Sequence, residues 1–294
     1  MRAVVVHEAG GPEVLKLEEV PDPQPGEGEV LVRVEAVGIN HVDLTRRASA
    51  DTFPLILGYD AAGRREDSGE RVLVTGTPGT YAELVAAKEE NVFAIPDSLD
   101  TAAAAAIGVP YRTSWWSLVE NGGLKEGDTL LVQGASTATG QASVDIGLSL
   151  GAKVYATSRA EKLDKVRALG AEALEYGDPK VRELGANVVF DPIGADTFSD
   201  SVDALAPQGT VVTPGAVSSP MVSFNLWSLM GKRARIQGVG STPTIRETME
   251  RLISLAGEGK LKPVIDRELP FQQAADAHRA IEARETFGKV ILRP

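Results

Sequence analysis

Apolar and polar residues follow two different patterns along the chain, and the pattern changes near residue 100. In the first part, short apolar runs alternate with Gly, Pro and acidic residues, which is typical of β-strands joined by turns. The runs are RAVVVHEAG, EVLVRVEAVGIN, ERVLVTG and TYAELVAA. Because no long helical period interrupts them, this first part of the chain is predicted to be β-rich.

From about Thr101 the chain alternates between apolar strands and helical patterns. The predicted strands are TLLVQG, KVYAT, NVVFD, TVVTPG and ARIQGVG. The predicted helices are GQASVDIGLSLG, AEKLDKVRALG, TFSDSVDALAPQG and TIRETMERLISLAGEGK, and an alanine-rich helical segment with a break at Pro110 precedes them. Strands this apolar, separated by helices, predict a parallel sheet that is covered on both faces. Thr244 and Glu247 have the spacing of a capping box, which predicts the start of the last long helix.

The end of the chain, FGKVILRP, returns to a strand pattern. We expect this strand to rejoin the β-rich part, so that the β-rich domain is discontinuous. The predicted boundaries are 1–100 and 264–294 for the β-rich domain and 101–263 for the α/β domain.

The segment LLVQGASTATGQAS leads from a strand through small residues into a helix. Dinucleotide-binding turns have the pattern G-x-G-x-x-G: the first glycine permits a tight bend, the second lets the backbone approach the pyrophosphate, and the third lets helix and strand pack closely. Aligned on the last glycine, this chain has Ala135, Thr137 and Gly140. The β-carbon of Thr137 lies where phosphate oxygens come close, although its hydroxyl, or that of Ser136 or Thr139, could donate to a phosphate at the helix N-terminus. The segment alone leaves two interpretations open, a pyrophosphate loop and an ordinary strand-to-helix turn.

The tip of the second strand bears on the choice of cofactor. NAD enzymes usually place Asp or Glu about 20 residues after the loop, where it binds the ribose hydroxyls. Here the strand ends in Thr157, Ser158 and Arg159, and the nearest acid, Glu161, forms a possible capping box with Ser158. Arg159 and Lys162 remain as cations beside a helix N-terminus and favour the 2′-phosphate of NADP(H). The alternative is a pair of solvated surface cations.

Composition excludes several kinds of chemistry. The chain has no cysteine, which excludes disulfides, a thiol nucleophile and a Cys-ligated zinc site. Its three histidines lie far apart in the sequence without metal-ligand spacing, so no metal site is predicted. A formal net charge of -11 argues against nucleic acid as a partner. No apolar run has the length of a membrane span and the N-terminus turns polar too early for a signal peptide, so we expect a cytoplasmic protein with no membrane partner.

The order of many segments resembles the zinc-independent quinone oxidoreductases, the zeta-crystallin-like branch of the medium-chain dehydrogenase/reductase superfamily. The resemblance covers nearly the whole chain. It includes HEAGGPEVLKLEEVPDPQPGEGEVLVRVEAVGINHVDLTRR, GERVLV, GTYAELV, LKEGDTLLVQGAS, GAKVYATSRAEKLDKVRALGAEALEY, VVFDPIGADTFSDSVDALAPQGTVVTPGAVSS, FNLWSLMGKRARIQG and AADAHRAIEARETFGKVIL. The resemblance implies an α/β fold, with a Rossmann-type doubly wound parallel sheet plus a discontinuous β-rich, GroES-like catalytic domain, and NADPH in the cleft between them.

The resemblance also implies roles for individual residues in cofactor and substrate binding. The NADP(H) residues that it implies are Ala138, Thr139 and Gly140, with Thr137 beside them, at the pyrophosphate; Ser158, Arg159, Lys162 and Tyr176 at the 2′-phosphate and adenine; and Gly215, Ala216, Val217 and Val239 at the ribose and nicotinamide. From the catalytic domain, Asn40, His41 and Asp43 are expected to face the nicotinamide and the substrate, and Lys289 to close the cleft. Asn40 and Asp43 are the catalytic candidates, as residues that position substrate and nicotinamide.

Each of these residues also has a purely structural interpretation. Asn40 and Asp43 could be a turn and a helix cap. Tyr176 could pack at the sheet edge and Gly215 could end a strand, while His41 could be structural and Lys289 a surface cation. Two departures from the family concern the substrate pocket: LTRRASADTFPLILGYDAAG is shorter than usual and lacks the tyrosine that related enoyl reductases place there, and Asp60 stands where many relatives have Glu.

The leading hypothesis for function is an NADPH-dependent, zinc-independent quinone oxidoreductase. It would transfer hydride from NADPH to quinones or similar conjugated carbonyl acceptors, with water or a ribose hydroxyl delivering the proton. The alternatives are an enone, alkenal or enoyl-thioester double-bond reductase and a noncatalytic NADPH-binding structural or regulatory protein. The resemblance further implies a homodimer, for which RARIQGVG is the candidate surface.

Overall fold

The computed structural model describes all 294 residues, which form sixteen β-strands and eight α-helices. The strands are β1 (Arg2–Val6), β2 (Lys16–Glu19), β3 (Glu29–Gly38), β4 (Leu55–Ile56), β5 (Asp60–Arg65), β6 (Arg71–Thr75), β7 (Leu84–Lys88), β8 (Val92–Ala94), β9 (Thr129–Val132), β10 (Lys153–Ser158), β11 (Glu172–Glu175), β12 (Ala186–Phe190), β13 (Leu205–Thr213), β14 (Arg235–Gly238), β15 (Ile265–Pro270) and β16 (Lys289–Arg293). The helices are α1 (His41–Ser49), α2 (Thr101–Trp115), α3 (Ala138–Ser149), α4 (Leu163–Ala168), α5 (Phe198–Asp203), α6 (Leu226–Lys232), α7 (Arg246–Gly257) and α8 (Ala274–Glu282). No helix combines the length and the apolar character that a bilayer-spanning segment requires.

The chain divides into two compact units, Met1–Pro110 with Thr244–Pro294, and Tyr111–Pro243. The first unit therefore extends beyond the predicted segments 1–100 and 264–294, mainly because it includes α7. The Arg246 guanidinium donates to the Glu89 carbonyl at 2.9 Å, and the Ser98 hydroxyl donates to the Gly257 carbonyl at 2.8 Å, so both ends of α7 are bonded to the β-rich unit. A helical pattern in the sequence does not indicate which sheet the helix packs against.

A six-stranded parallel sheet forms the centre of the second unit. Its spatial order is β11-β10-β9-β12-β13-β14, and every neighbouring pair is parallel. Numbered within the sheet, this is the order 3-2-1-4-5-6 of the doubly wound Rossmann fold. The middle strands β9 and β12 are buried along most of their length, as near-continuous apolar strands must be when helices cover both faces.

Antiparallel strands dominate the first unit. One sheet has the order β15-β16-β3-β5-β6-β8, with β7 also paired to β3, and a smaller sheet has the order β2-β1-β4. The last strand, β16, pairs antiparallel with β3, where Ile291 lies opposite Gly38, so the end of the chain does return to the β-rich part. The predicted fold class is confirmed: an α/β chain with a Rossmann-type parallel sheet and a discontinuous β-rich unit.

Several local predictions were wrong at the ends of helices. The TFSDSVDALAPQG helix stops at Asp203, because Leu205 already pairs with Ala186 as the first residue of β13. The break in the alanine-rich helix falls at Gly108, where ψ is -107°, and not at Pro110. The capping box of Thr244 and Glu247 is not formed, because the residue that caps α7 is Ile245, whose side chain has no acceptor.

Candidate cofactor and active site

The turn after β9 is tightened by a glycine that the motif alignment passed over. Gly134 has φ = +76°, a left-handed conformation that favours glycine, and a β-carbon there would lie 2.8 Å from Cδ1 of Ile193. Ala135, which the alignment placed in the tight-bend role, is fully buried, and its N–H donates to the Thr157 carbonyl at 2.9 Å. The tight bend therefore depends on Gly134, and Ala135 joins the loop to the neighbouring strand.

Thr137 is the N-cap of α3. Its hydroxyl oxygen accepts the Gly140 N–H at 3.0 Å, and its hydroxyl proton is donated to the Gly134 carbonyl at 2.9 Å. The hydroxyl has only one proton, so in this arrangement none is left for a phosphate. Thr137 therefore stabilises the loop from within, and a contact between Thr137 and a cofactor stays a prediction.

Gly140 meets the requirement for close packing between helix and strand. A β-carbon at this position would lie 2.1 Å from the Gly134 carbonyl oxygen, which is rigid backbone. Ala138 and Thr139 are the first two residues of α3 and are half-buried. The first N–H groups of a helix have no partners within the helix and attract anions. Gly140 therefore has the function of the third glycine of the motif, and it lies at the N-terminal end of α3, which suits a pyrophosphate.

Ser158 ends β10 and is fully buried, yet its hydroxyl has no hydrogen-bond partner. The predicted capping box with Glu161 was wrong, because Arg159 occupies the N-cap position of the helical turn Ala160–Lys162. Arg159 is exposed, whereas Lys162 is only 8% exposed, so the two cations do not form a solvated surface pair. Buried hydroxyls are normally bonded, so the Ser158 hydroxyl fits a polar group supplied by a ligand.

Tyr176 follows β11 and lies beside the same turn. Its N–H donates to the Ser158 carbonyl at 3.2 Å, and its hydroxyl oxygen is 3.6 Å from the position of a β-carbon on Gly134. The side chain is half-buried. Tyr176 thus lies between the tip of β10 and the loop after β9, the two places where the adenosine and the pyrophosphate of a dinucleotide would bind in this fold.

The remaining predicted residues of this unit follow β13 and β14. Gly215, Ala216 and Val217 are exposed in the loop after β13, and the Val217 N–H donates to the Pro192 carbonyl at 3.0 Å. Val239 follows β14, is 7% exposed and donates its N–H to the Thr213 carbonyl at 2.9 Å. All predicted cofactor residues of the second unit therefore lie at the carboxyl edge of the parallel sheet, where open α/β sheets bind ligands.

A buried polar network beneath this edge was missed in the sequence. The Gln133 amide donates to the Ser201 hydroxyl at 3.2 Å, and the Ser201 hydroxyl donates to Asp191 at 2.7 Å. Asp191 also accepts the Ile193 and Gly194 N–H groups at 2.9 and 3.2 Å, although burial raises the pKa of its carboxyl. The network ties the ends of β9 and β12 together. The only sequence signal was an acid directly after an apolar strand in NVVFD.

In the β-rich unit, Asn40 and Lys289 form a buried polar cluster with Asp60. The Lys289 ammonium donates to Oδ1 of Asn40 at 2.5 Å and lies 3.5 Å from Asp60, and both Lys289 and Asp60 are almost completely buried. Asp60 also accepts from the Thr75 hydroxyl at 2.8 Å and from the Val109 N–H at 2.9 Å. Burial lowers the pKa of Lys289. The surface-cation interpretation of Lys289 was wrong, because β16 lies inside the sheet beside β3.

Asp43, the third residue of α1, forms a capping box with the N-cap residue Asn40 and connects this cluster to a second chain of hydrogen bonds. It accepts the Asn40 N–H at 2.8 Å and the Tyr81 hydroxyl at 3.3 Å. The Arg47 guanidinium lies 3.0 Å from Nδ1 of His278 and can only donate, so His278 is neutral and its Nε2–H donates to the Tyr81 oxygen at 3.0 Å. Burial raises the pKa of Asp43 to about 7 and lowers that of His278 to about 3. Tyr81, Arg47 and His278 had no signal in the sequence, since they meet only in the folded chain.

His41 lies apart from this buried chain. It is the first residue of α1 and is exposed, and desolvation lowers the pKa of its imidazole. The structure contains no group of three or more His, Asp or Glu side chains arranged to hold a metal ion. The β-rich unit therefore offers polar and ionisable side chains rather than a visible metal site.

Comparisons with known proteins agree with this architecture. Residues 26–97 match the alcohol dehydrogenase GroES-like domain, and residues 169–292 match the zinc-binding dehydrogenase family. Human quinone oxidoreductase is 31% identical, with 99% of this chain and 97% of the relative covered. A crystal structure of an NAD-dependent alcohol dehydrogenase is 31% identical over the whole of both chains with a TM-score of 0.93. A mycobacterial protein complexed with NADPH is 29% identical over the whole of both chains with a TM-score of 0.91.

The β-rich unit thus contains a GroES-like domain, and the parallel sheet has the strand order of an NAD(P)-binding dehydrogenase. The identity to human quinone oxidoreductase extends over nearly the full length of both proteins. The chain belongs to the quinone oxidoreductase branch of the medium-chain dehydrogenase/reductase superfamily of oxidoreductases.

Proposed function

We propose that this protein is an NADPH-dependent quinone oxidoreductase that acts without zinc. Its acceptors would be quinones or similar conjugated carbonyl compounds. The observation that supports NADPH most directly is at the tip of β10, where the buried Ser158 hydroxyl has no hydrogen-bond partner and the next residue is the cation Arg159. The quinone oxidoreductase relatives support a quinone as the acceptor. The absence of cysteine supports chemistry without a Cys-ligated zinc ion.

The residues at the sheet edge fit NADPH better than NADH. No acid lies at the tip of β10 to bind the ribose hydroxyls. Instead, Arg159 comes directly after the strand and Lys162 lies three residues further along the chain. A guanidinium, an ammonium and a free hydroxyl together suit the extra phosphate of NADPH. The solved relatives include both an NAD-dependent enzyme and an NADPH complex, so the choice rests on these residues and on no relative.

When NADPH is bound, it supplies a hydride, and the side chains of this protein supply binding and orientation. Ser158, Arg159, Lys162 and Tyr176 would hold the adenosine end. The N-terminus of α3, with Gly140 packed against the strand, would hold the pyrophosphate. The buried hydrogen bonds of Asp191 would keep the loop after β12 in one conformation.

The test is the oxidation of NADPH, followed by its absorbance, with a panel of 1,4-benzoquinones, enones and alkenals. We expect turnover with quinones. Turnover restricted to enones or alkenals would instead support a double-bond reductase. Tight NADPH binding without turnover of any acceptor would contradict the proposal and favour a noncatalytic NADPH-binding protein.

Cofactor choice is tested by the variants Arg159→Ala and Lys162→Ala. Each lost charge-assisted hydrogen bond should cost about 1.5–3 kcal/mol, or roughly 10- to 100-fold in the NADPH dissociation constant. The dissociation constant for NADH should change much less. Arg167→Ala is the matched control, because Arg167 is an exposed arginine on α4 that pairs with Asp164. Equal losses for NADPH and NADH would mean that the two residues do not recognise the 2′-phosphate.

We also propose a homodimer formed through the outer edge of the parallel sheet. The edge strand β14 lies in RARIQGVG, pairs only with β13, and all four of its residues are exposed. Large apolar side chains lie exposed in the neighbouring segment: Met221 at 82%, Trp227 at 77%, Leu226 at 58% and Met230 at 55%. An exposed edge strand with an apolar patch favours association. Light scattering should give twice the chain mass of 31.0 kDa, and Trp227→Lys should shift it towards the monomer.

A cytoplasmic location stays a prediction from the sequence.

A further inference from the structure

The buried hydrogen bonds of Asp191 continue as far as the tip of β10. The Thr157 hydroxyl accepts the Gly134 N–H at 3.4 Å and donates to Oε1 of Gln133 at 2.5 Å. The Gln133 amide donates to the Ser201 hydroxyl, which donates to Asp191. All four side chains are at most 1% exposed. The hydrogen bonds therefore run in one direction, from the turn after β9 to a buried carboxylate, and such chains strengthen one another.

This chain of hydrogen bonds crosses the middle of the parallel sheet. Thr157 lies in β10, Gln133 follows β9, and Asp191 follows β12. In the sheet, β9 and β12 are neighbours, and the strand order reverses between them. A Rossmann sheet consists of two mononucleotide-binding halves, and the dinucleotide lies across the point of reversal. The chain therefore joins the adenosine half, β9 to β11, to the nicotinamide half, β12 to β14.

In the nicotinamide half, Asp191 anchors two loops. Its carboxylate accepts the Ile193 and Gly194 N–H groups of the loop after β12. The Ile193 carbonyl accepts the Ser218 N–H of the loop after β13 at 2.8 Å. Gly194 has φ = +91°, and a β-carbon there would lie 2.4 Å from the Ser219 carbonyl oxygen. The two loops are thus closely packed and share the anchor at Asp191.

In the adenosine half, the tip of β10 is also held by β11. Thr157 and Ser158 lie opposite Leu174 and Glu175 in the parallel pair, and the Tyr176 N–H donates to the Ser158 carbonyl. These contacts involve the backbone and do not use the Thr157 hydroxyl. Removing that hydroxyl should therefore leave Ser158 in place and break only the side-chain link to the nicotinamide half.

We propose that Gln133 is a positioning residue, which fixes the nicotinamide half of the cofactor site relative to the adenosine half. Its carbonyl oxygen accepts from Thr157 and its amide donates to Ser201, so one side chain makes the link. The inference rests on the proposed use of NADPH. NADPH spans both halves, so its affinity depends on loops held in the bound conformation. The fragment 2′,5′-ADP occupies the adenosine half alone and does not depend on this link.

The experiment compares wild type with Gln133→Leu, Thr157→Val and Thr157→Ser. Leucine removes the amide, valine removes the hydroxyl but keeps the shape of threonine, and serine keeps the hydroxyl. The dissociation constants of NADPH and of 2′,5′-ADP are measured by calorimetry, together with the melting temperature. The control is Val189→Ala on β12, which leaves a cavity in the core without touching the hydrogen bonds.

We expect Gln133→Leu and Thr157→Val to raise the NADPH dissociation constant at least about 10-fold and that of 2′,5′-ADP less than about threefold. Thr157→Ser and Val189→Ala should keep the wild-type ratio of the two constants, although Val189→Ala melts at a lower temperature. Equal changes in both constants would overturn the inference, because they indicate a general loosening of the sheet. An unchanged NADPH constant in both variants would also overturn it. If Gln133→Leu does not fold, Thr157→Val decides alone.

Failure of the proposed function gives a different result. A wild type that binds NADPH but reduces no acceptor refutes the proposed activity alone, because the inference is decided by the two dissociation constants. A wild type that binds NADH in preference to NADPH refutes the proposed cofactor alone. The same comparison, made with NADH and AMP in place of NADPH and 2′,5′-ADP, then decides whether Gln133 positions the two halves.

Discussion

Replacing Thr137 by valine separates two functions that a hydroxyl in this loop could have. Valine keeps the shape of threonine and removes only the hydroxyl. In the structure that hydroxyl accepts the Gly140 N–H at 3.0 Å and donates to the Gly134 carbonyl at 2.9 Å. Loss of an N-cap costs about 1 kcal/mol, and loss of an ordinary hydrogen bond costs about 1 kcal/mol more. We therefore expect Thr137→Val to lower the free energy of unfolding by about 2 kcal/mol.

A loss of this size is measurable by thermal unfolding. For a domain of this size class each kcal/mol corresponds to about 2–4 °C, so the melting temperature should fall by roughly 4–8 °C. The NADPH dissociation constant, measured by fluorescence quenching, should change less than about threefold, because the Thr137 hydroxyl already donates its proton to the Gly134 carbonyl. Thr137→Ser, which keeps the hydroxyl, should behave like wild type in both measurements.

The opposite result would refute this reasoning. If Thr137→Val left the melting temperature unchanged and raised the NADPH dissociation constant about tenfold or more, the hydroxyl would bind a phosphate and would not cap α3. The loop would then change its hydrogen bonds when the cofactor binds.

Two further variants test the packing and the electrostatics of the two units. Gly140→Ala places a β-carbon 2.1 Å from the Gly134 carbonyl oxygen, so it should destabilise the protein by about 1–3 kcal/mol and weaken NADPH binding. Gly231→Ala in α6 is the control, because a β-carbon there meets no packed atom within 4 Å, and it should do neither. Equal melting temperatures for the two variants would contradict the close-packing role of Gly140. Burial raises the pKa of Asp43 to about 7 in the folded protein, above its usual value near 3.8, so its contribution to stability is complete below about pH 4 and is lost as the pH rises through 7. The melting temperature of Asp43→Asn should therefore rise relative to that of wild type between pH 5 and pH 8. His278 is present in both proteins, so it does not affect this difference in melting temperature. A difference in melting temperature that is constant with pH would show that Asp43 titrates normally.

The order of elements and the location of the cofactor edge could be predicted from the sequence because both depend on local patterns. Apolar runs such as TLLVQG and NVVFD mark buried parallel strands wherever they pack. The residues that follow such strands come together at the carboxyl edge in any doubly wound sheet, so the sequence alone predicts Ser158, Tyr176 and Gly215 at that edge. The resemblance to a family added the individual roles, which remain predictions.

The details of that edge depend on backbone geometry that a motif does not specify. The alignment gave the tight bend to Ala135, whereas the positive φ lies at Gly134. The spacing of Ser158 and Glu161 suggested a capping box, but the helical turn begins one residue later and leaves the Ser158 hydroxyl without a partner. A shift of one residue in a helix start is too small to appear in a hydrophobic pattern, yet it decides which side chain can bind a ligand.

The sequence by itself determined the two kinds of sheet, the small residues of the loop and the lack of thiol chemistry, because each is a property of neighbouring residues or of composition. Only the tertiary structure decided that Lys289 is buried against Asn40, although 249 positions separate them, and that His278 bonds to Tyr81 across 197 positions. It likewise brought Arg46 to the phenol of Tyr59. Contacts of this kind arise from the pairing of distant strands and the packing of helices on them, and no local periodicity in the chain encodes which distant polar groups will meet.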